Sequence, residues 1–223
     1  TRGVLIASPS NPTGTIIQAT ELAKAIEFVT AKQGLLFSDE IYHGLVYEQG
    51  VASALEFSDQ VFVINSFSKY FGMTGWRIGW LIVPESFAQA TEKLAQNIFI
   101  STSSHSQYAA LAAFDPATLQ ELELRRKDFA SKRDFLYEHL LRLGFNIPVK
   151  PAGAFYIYAD ASQFTDDSQE FAEQLLEIEG VAITPGKDFG DNESQHYLRF
   201  SYTSSMATIA EGIERLERFI NNL

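Results

Sequence analysis

Short apolar runs, each followed by polar residues, organise the first part of the chain. The runs lie at residues 4–7, 35–37, 61–64 and 78–83, and their length and composition are typical of buried strands. Between the first two runs, apolar residues recur at helical spacing from Leu22 to Val29, and Thr20 is the expected helix N-cap. A strand, a helix and a second strand in this order predict a βαβ unit with parallel strands and a right-handed crossover.

Polar clusters follow three of these predicted strands, at residues 8–14, 38–42 and 65–69. The first cluster is rich in serine, proline and glycine and therefore has to be a loop. In parallel α/β sheets, ligands bind at the carboxyl ends of the strands. We therefore expect the three clusters to line one crevice, although they are far apart in the sequence.

The second part of the chain is helical at first and mixed later. Helical patterns cover residues 87–98, 103–114 and 116–143, and the last of them stops at Gly144. Beyond it, strands are expected at 155–159, 181–184 and 197–202, and helices at 168–179 and 205–220. The predicted fold class is α/β, with a mostly parallel, doubly wound sheet in residues 1–115, a long connecting helix in 116–144 and a smaller α+β domain in 145–223.

Composition and charge exclude several classes of function. The 223 residues carry a net charge of −11, which argues against nucleic acid or an anionic membrane as the main partner. The chain has no cysteine, which excludes disulfides and thiolate catalysis, and its four histidines lack metal-ligand spacing. No apolar run approaches the roughly 20 residues of a membrane span, and a cytoplasmic location is expected. Because the chain begins at Thr1, directly before a strand pattern, we expect it to be a fragment.

Lys69 is the most conspicuous candidate for chemistry. It follows the third apolar run, lies among Phe67, Tyr70 and Phe71, and precedes Arg77 by eight residues. Desolvation and a neighbouring positive charge favour the neutral amine, which can attack an aldehyde and form a Schiff base. The alternative is a solvated lysine at the end of a strand, a description that fits most lysines.

Three residues in the neighbouring clusters could serve the same ligand. Asp39 could hold a proton on a heteroaromatic nitrogen, so that a cofactor ring becomes an electron sink, or it could be an ordinary turn aspartate. Tyr42 could donate a phenol hydrogen bond to a ring oxygen, or it could simply pack as an aromatic. Asn11 could direct its amide to the same oxygen from a cis or constrained Asn-Pro segment, or it could be a turn residue.

Two arginines are candidates for binding an anion. Arg77 could clamp a phosphate or carboxylate with its planar donors, and Ser66 and Ser68 could share the same phosphate. Otherwise Arg77 makes a surface ion pair. Alternation in the last predicted strand places Arg199 on the face opposite to its apolar neighbours, where it pairs either with a carboxylate of the protein or with one on a ligand.

Five motifs, taken together and in this order, carry a family resemblance. SPSNPTG (residues 8–14), DEIY (39–42), SFSK (66–69), GWRIG (75–79) and YLRF (197–200) resemble the class I/II aminotransferases, which are pyridoxal-phosphate enzymes of fold type I. The resemblance covers essentially the whole chain. It implies the later part of a pyridoxal-phosphate-binding large domain, a small C-terminal domain, and transfer of an amino group between an amino acid and a 2-oxo acid.

The resemblance also implies roles for the residues that would contact the cofactor ring. Lys69 resembles the lysine that forms the internal aldimine with pyridoxal 5′-phosphate and then shuttles a proton. Asp39 resembles the partner of the pyridinium nitrogen. Tyr42 and Asn11 resemble the ligands of the ring's 3-oxygen.

The remaining candidates resemble the ligands of two anions. Ser66, Ser68 and Arg77 resemble the residues that bind the cofactor phosphate. Arg199 resembles the clamp for the substrate α-carboxylate, which makes an amino acid and a 2-oxo acid the expected small-molecule partners.

The chain resembles only the later part of such an enzyme. The N-terminal arm, the first strands of the large-domain sheet and the aromatic residue that stacks on the cofactor ring are expected to be missing. We therefore expect the 223-residue chain alone to bind pyridoxal phosphate weakly and to have negligible transaminase activity. Bare sheet edges would favour self-association, and the full-length protein is expected to be a homodimer.

Two other functions are compatible with the same motifs. Pyridoxal-phosphate-dependent lyases share the fold, and some transcription regulators carry an aminotransferase-like sensor domain. The NPTG and DEIY sequences are closer to free-standing enzymes than to the regulators. Product analysis with and without a 2-oxo acid acceptor would separate a transaminase from a lyase.

Overall fold

The computed structural model describes residues 1–48 and 50–223, and these residues form two compact units. The first unit comprises Thr1–Ser10 and Ile16–Arg126, and the second comprises Asn11–Thr15 and Lys127–Leu223. The division falls within one long helix. The interpretation of residues 116–144 as a connector between domains remains a prediction.

The first unit is built around a four-stranded sheet. Its strands are β1 (Gly3–Ala7), β2 (Leu35–Asp39), β3 (Phe62–Ser66) and β4 (Gly79–Ile82), in that spatial order. β1, β2 and β3 run parallel, while β4 pairs with β3 in the antiparallel sense. The prediction of a mostly parallel sheet is therefore confirmed.

In the part of the chain that the structure describes, the first unit also contains one α-helix between β1 and β2 and three α-helices that follow β4 along the chain. They are α1 (Ala19–Ala31), α2 (Glu85–Phe99), α3 (Ser104–Ala112) and the first part of α4 (Pro116–Leu143). The predicted N-cap at Thr20 is wrong. Because the amides of Glu21 and Leu22 both donate to the carbonyl of Gln18, the helix begins at Ala19 and Gln18 occupies the cap position.

The core of the first unit confirms the helical periodicity that the sequence predicts for α1. Leu22, Ile26 and Val29 are buried along one face of this helix. They belong to one hydrophobic cluster with Leu36 of β2 and Val63 of β3. Burying each such side chain contributes roughly 1.5–3 kcal/mol. This packing holds α1 on the sheet and so orders the strands whose ends carry the polar clusters.

The second unit contains a three-stranded antiparallel sheet. Its strands are β5 (Tyr156–Asp160), β6 (Thr184–Pro185) and β7 (Tyr197–Ser201), and β7 lies in the middle. Helices α5 (Ser168–Glu179) and α6 (Met206–Ile220) complete the unit with the second part of α4.

The prediction of a strand over residues 181–184 is largely wrong. Only Thr184 and Pro185 pair with β7. The prediction failed because an apolar run indicates that residues are buried, not that their backbone pairs with another strand. The alternation predicted around Arg199 is confirmed, because Leu198 and Phe200 are buried while Arg199 is not.

The predicted fold class is confirmed, since a mostly parallel α/β sheet is accompanied by a smaller α+β unit. Over residues 1–48 and 50–223, no helix combines the length and apolar character needed to cross a bilayer.

Candidate active site

The carboxyl ends of the three parallel strands meet at one edge of the first sheet. The Ser8 amide donates to the Asp39 carbonyl at 3.2 Å, and the Glu40 amide donates to the Ile64 carbonyl at 2.8 Å. The residues that follow β1, β2 and β3 therefore begin side by side. The first polar cluster is divided, however, because residues 8–10 lie in the first unit and Asn11 lies in the second.

Lys69 lies in the turn after β3, half-buried beside Tyr42. Its Nζ is 5.6 Å from the centre of the Tyr42 ring, and Tyr42 itself is buried. Two backbone hydrogen bonds close the turn, from Gly72 to the Lys69 carbonyl and from Met73 to the Phe67 carbonyl, each at 3.0 Å. The structure thus brings two of the predicted site residues together from separate strand ends.

An aromatic cluster anchors the turn that carries Lys69. The buried ring of Phe67 packs against the rings of Phe71, Trp80 and Phe114, with centroid distances of 4.8, 5.2 and 5.7 Å. The aromatic residues next to Lys69 therefore form the support of its turn. Such close packing limits the movement of the backbone that carries the amine.

Asp39 has the turn role that the sequence left open. Its Oδ1 accepts a hydrogen bond of 3.1 Å from the amide of Ile41, which orients the carboxylate at the end of β2. The adjacent Glu40 side chain is almost fully buried, which nothing in its local sequence indicates. Its carboxylate accepts hydrogen bonds from the Ser53 hydroxyl and the Ala54 amide, both at 2.8 Å. The hydrogen bonds of the buried Glu40 carboxylate therefore fix the short turn from Asp39 to Tyr42.

His43 extends this buried network. Its Nδ1 lies 3.4 Å from Oε2 of Glu40, and its side chain is only 18% exposed. Burial lowers the pKa of His43 below its ordinary value, because this effect outweighs the opposing influence of the Glu40 carboxylate.

Ser66 and Ser68 form a compact pair of hydroxyls at the end of β3. The Ser66 Oγ lies 2.9 Å from the Ser68 Oγ and accepts a hydrogen bond of 3.0 Å from the Ser68 amide. Arg77 is exposed, adopts a left-handed backbone conformation with φ of 51°, and donates from Nη1 to the Thr74 carbonyl at 2.9 Å. These residues offer hydroxyl and guanidinium donors of the kind that bind phosphate.

Arg199 is the central polar residue of the second unit. Its Nη1 donates to Oδ1 of Asn11 at 2.8 Å, and its Nη2 donates to the Thr184 hydroxyl at 3.1 Å. The guanidinium carbon lies 4.2 Å from the centre of the Tyr156 ring and 4.7 Å from that of Phe189. Two neutral acceptors and two aromatic rings thus hold the guanidinium in place.

The positive charge of Arg199 is not balanced by an acidic partner in the described part of the chain. No carboxylate there forms an ion pair with it, and its Nε is buried without a hydrogen-bond acceptor. A buried donor without a partner is costly. Of the two possibilities that the sequence left open, this geometry favours a carboxylate on a ligand.

The segment that carries Asn11 is attached to the loop before β5. The Gly14 carbonyl accepts hydrogen bonds from the amides of Ala152 and Gly153, both at 3.0 Å. Gly14 has a φ of 65°, and a Cβ there would lie 2.7 Å from the Gly153 carbonyl oxygen. The position therefore requires glycine, which explains the last residue of the NPTG motif.

Three residues around Arg199 lie outside the five sequence motifs and outside the strand that carries it. Thr184 is the direct cross-strand neighbour of Arg199 in the β6–β7 pair. Tyr156 lies on β5, and Phe189 lies in a short helical turn after β6. Strand alternation shows which face Arg199 occupies, but only the pairing of the strands reveals these neighbours.

Comparisons with known proteins agree with this architecture. The family model described as aminotransferase class I and II matches residues 1–216. The valine–pyruvate aminotransferase of Mycobacterium tuberculosis is 42% identical to this chain, with 96% of the chain and 56% of the relative covered. The (5-formylfuran-3-yl)methyl phosphate transaminase of Methanocaldococcus jannaschii is 40% identical, with 99% and 58% covered.

A solved structure shows the same fold. The crystal structure of an aminotransferase from Mycobacterium tuberculosis superposes with a TM-score of 0.96 at 41% identity, over 100% of this chain and 58% of that one. The chain therefore spans between 56% and 58% of the length of the curated relatives cited above.

Proposed function

This chain belongs to the class I and II aminotransferase family, and from that premise we propose that the complete protein is a pyridoxal-phosphate-dependent aminotransferase. It would move an amino group between an amino acid and a 2-oxo acid. The observation that carries the proposal is the position of the Lys69 amine, 5.6 Å from the Tyr42 ring, in a turn at the carboxyl edge of a parallel sheet.

The residues of the first unit fit pyridoxal phosphate. An amine, a carboxylate, a phenol and a pair of hydroxyls follow neighbouring strands, and these groups match the aldehyde, ring nitrogen, ring oxygen and phosphate of the cofactor. When bound, the cofactor supplies a ring that accepts the electron pair released at the substrate Cα. Lys69 Nζ would be the base that takes the proton from the substrate Cα and delivers it to C4′ of the cofactor.

Asp39 and Tyr42 would orient and polarise the cofactor ring. The Asp39 carboxylate, held at Oδ1 by the Ile41 amide, would keep a proton on the ring nitrogen. The Tyr42 phenol would donate a hydrogen bond to the ring oxygen. Both residues lie on the turn that the buried Glu40 carboxylate fixes, so their relative placement is set before any ligand binds.

Ser66, Ser68 and Arg77 would bind the phosphate. Hydrogen bonds to an anion are stronger than those between neutral groups, and the planar fork of arginine suits phosphate oxygens. The Ser66 and Ser68 hydroxyls are already adjacent, at 2.9 Å, and one phosphate oxygen could accept from both once the Ser66 proton turns away from its present acceptors, Ser68 Oγ and the Ile78 carbonyl.

In the second unit, Arg199 would bind the substrate α-carboxylate. Its buried Nε and its remaining N–H groups are donors for which a carboxylate is the natural acceptor. Asn11, whose Oδ1 accepts from Arg199, would donate from its amide nitrogen to the ring oxygen, in line with the family resemblance. The substrate class is therefore an amino acid, with a 2-oxo acid as acceptor.

A homodimer is proposed for the complete protein, in line with the family resemblance. Helix α2 has no buried residue, and Leu94, Ile98 and Phe99 are each at least 56% exposed on it. An exposed apolar face of this kind is covered either by another part of the complete chain or by a second subunit, and the proposal takes the second. Light scattering of the purified complete protein would report twice the monomer mass. A monomer at micromolar concentration would contradict this part of the proposal.

The central test is covalent labelling of Lys69. The complete protein is incubated with pyridoxal phosphate, reduced with borohydride and digested, and the peptide that carries Lys69 is expected to gain a pyridoxyl group. Lys69→Ala should lose both this label and transamination of an amino-acid panel with 2-oxoglutarate. Lys24→Ala, which changes a lysine of α1 whose side chain is 71% exposed, should retain both. Full activity in Lys69→Ala would refute the assignment.

A further inference from the structure

A chain of hydrogen bonds connects the turn after β3 with the turn after β2 through helix α4. The Tyr70 hydroxyl donates to Oε1 of Glu123 at 2.7 Å. Arg126 donates from Nε to Oε2 of the same carboxylate at 2.9 Å, and from Nη1 to the Val46 carbonyl, also at 2.9 Å. All of these residues belong to the first unit.

The same two turns also touch directly. A Cβ added to Gly44 would overlap the Tyr70 ring, which shows that this ring packs directly against the backbone of Gly44. Tyr70 follows Lys69 in the chain, and Gly44 lies two residues after Tyr42. The contact and the hydrogen bonds therefore join the immediate neighbours of the two residues that the structure places 5.6 Å apart.

The electrostatics of these groups favour a stable donor–acceptor arrangement. Burial, reinforced by the hydrogen bond to Glu123 and by its negative charge, raises the pKa of Tyr70 to about 12. Tyr70 thus remains protonated at neutral pH and can donate its hydrogen bond to Glu123. Glu123 accepts from a phenol and from a guanidinium with separate oxygens, which fixes its geometry more firmly than one bond would. Neither partner is free to rotate away without losing a charge-assisted bond.

We propose that Tyr70, Glu123 and Arg126 are positioning residues, which hold Lys69 and Tyr42 at the separation that cofactor binding requires. We call the three residues the brace. They act through the backbone of the two turns and do not themselves touch the cofactor. The inference rests on the proposed function, since it concerns how the amine of Lys69 is presented to an aldehyde.

The test compares Tyr70→Phe with Tyr108→Phe in the complete protein. The first change removes the hydroxyl and keeps the ring on Gly44, while the second alters a tyrosine that is 75% exposed. Arg126→Met provides a second variant that breaks the brace at its other end. Three quantities are measured: the melting temperature, the exchange of backbone amides with deuterium, and the rate at which pyridoxal phosphate labels Lys69 under borohydride trapping.

The brace predicts a specific combination of results. In Tyr70→Phe and Arg126→Met, amide exchange should rise in both turns, and labelling of Lys69 should slow by about tenfold, since small misplacements of reacting groups cost rate. Tyr108→Phe should behave as the wild type. A melting temperature that is nearly unchanged in Tyr70→Phe would show that the slower labelling does not come from unfolding.

Two results would overturn the brace. One is an unchanged labelling rate in both brace variants, which would leave the hydrogen bonds with a purely structural role. The other is amide exchange that rises in only one of the two turns, because the turns would then be held independently. If wild-type Lys69 is not labelled at all, the proposed function fails, and the exchange measurement alone then decides whether the two turns are coupled.

Discussion

Arg199 donates a hydrogen bond of 2.8 Å from Nη1 to Oδ1 of Asn11, although 188 residues separate the two in the chain. Both residues lie within the second unit. The bond engages the oxygen of the Asn11 amide and so orients this amide, whose nitrogen is its only donor. It also orients the guanidinium, because Thr184 accepts from the other terminal nitrogen.

Asn11→Ala is expected to weaken substrate binding. The change removes the acceptor of Arg199 Nη1 and leaves a second guanidinium donor unmatched. Hydrogen bonds to charged groups contribute about 1.5–3 kcal/mol, so the KM for the amino acid should rise by tenfold or more. The measurement is steady-state kinetics of the complete protein, with Asn222→Ala at the exposed C-terminus as control. An unchanged KM would show that Asn11 does not orient Arg199.

Thr184→Val tests the other neighbour of Arg199. Valine has nearly the shape of threonine but cannot accept the hydrogen bond from Nη2. We expect the KM for the amino acid to rise by about tenfold or more, because the donor is charged and a hydrogen bond to a charged group contributes about 1.5–3 kcal/mol. Thr184→Ser keeps the hydroxyl and should restore most of the affinity. Equal KM values in all three proteins would argue against a role for Thr184.

Gly44→Ala is expected to destabilise the first unit. The new methyl group would overlap the Tyr70 ring, and forcing extra atoms into such a contact typically costs about 1–3 kcal/mol. Gly75→Ala is the matched control, because nothing lies within 4 Å of a Cβ at that position. Urea unfolding measures both variants, and similar midpoints for the two would contradict the overlap.

Gly212→Ala should have the opposite effect. Gly212 lies inside helix α6, and a Cβ there would meet no atom within 4 Å. Glycine in a helix interior is about 0.5–1 kcal/mol less favourable than alanine. The variant is therefore expected to melt a few degrees higher in a calorimetric scan. A lower melting temperature would mean that the backbone at this position is not regular helix.

His43 should make the stability of the first unit depend on pH. Because burial holds the pKa of His43 below its ordinary value of 6.5, the unfolded chain binds a proton more readily than the folded one. The free energy of unfolding should therefore fall as the pH drops through about 6.5, and level off below the folded-state pKa. His43→Gln, which cannot take up the proton, should flatten that part of the curve.

The matched control for His43 is His105→Gln, since His105 is exposed. Unfolding midpoints between pH 5 and pH 8 would be recorded for both variants and for the wild type. The prediction fails if His43→Gln and the wild type lose stability in parallel as the pH falls.

Local pattern predicted the elements of this protein well where burial alone determines them. The helical spacing of Leu22, Ile26 and Val29 corresponds to the buried face of α1. Patterns failed where hydrogen-bonded pairing decides the outcome. The shortness of β6 depends on which backbone groups lie opposite it, and the residues of a strand do not by themselves identify its partner.

The sequence by itself determined the family and the candidate residues, because each motif is a short stretch of chain. Strand ends, a lysine among aromatics and an arginine in an alternating strand are all local features. Only the tertiary structure decided the neighbours of those residues: Asn11 and Thr184 beside Arg199, and Glu123 between Tyr70 and Arg126. The physical reason is that hydrogen bonds and ring contacts act over a few ångströms, whereas the residues that make them are separated by up to 188 positions along the chain.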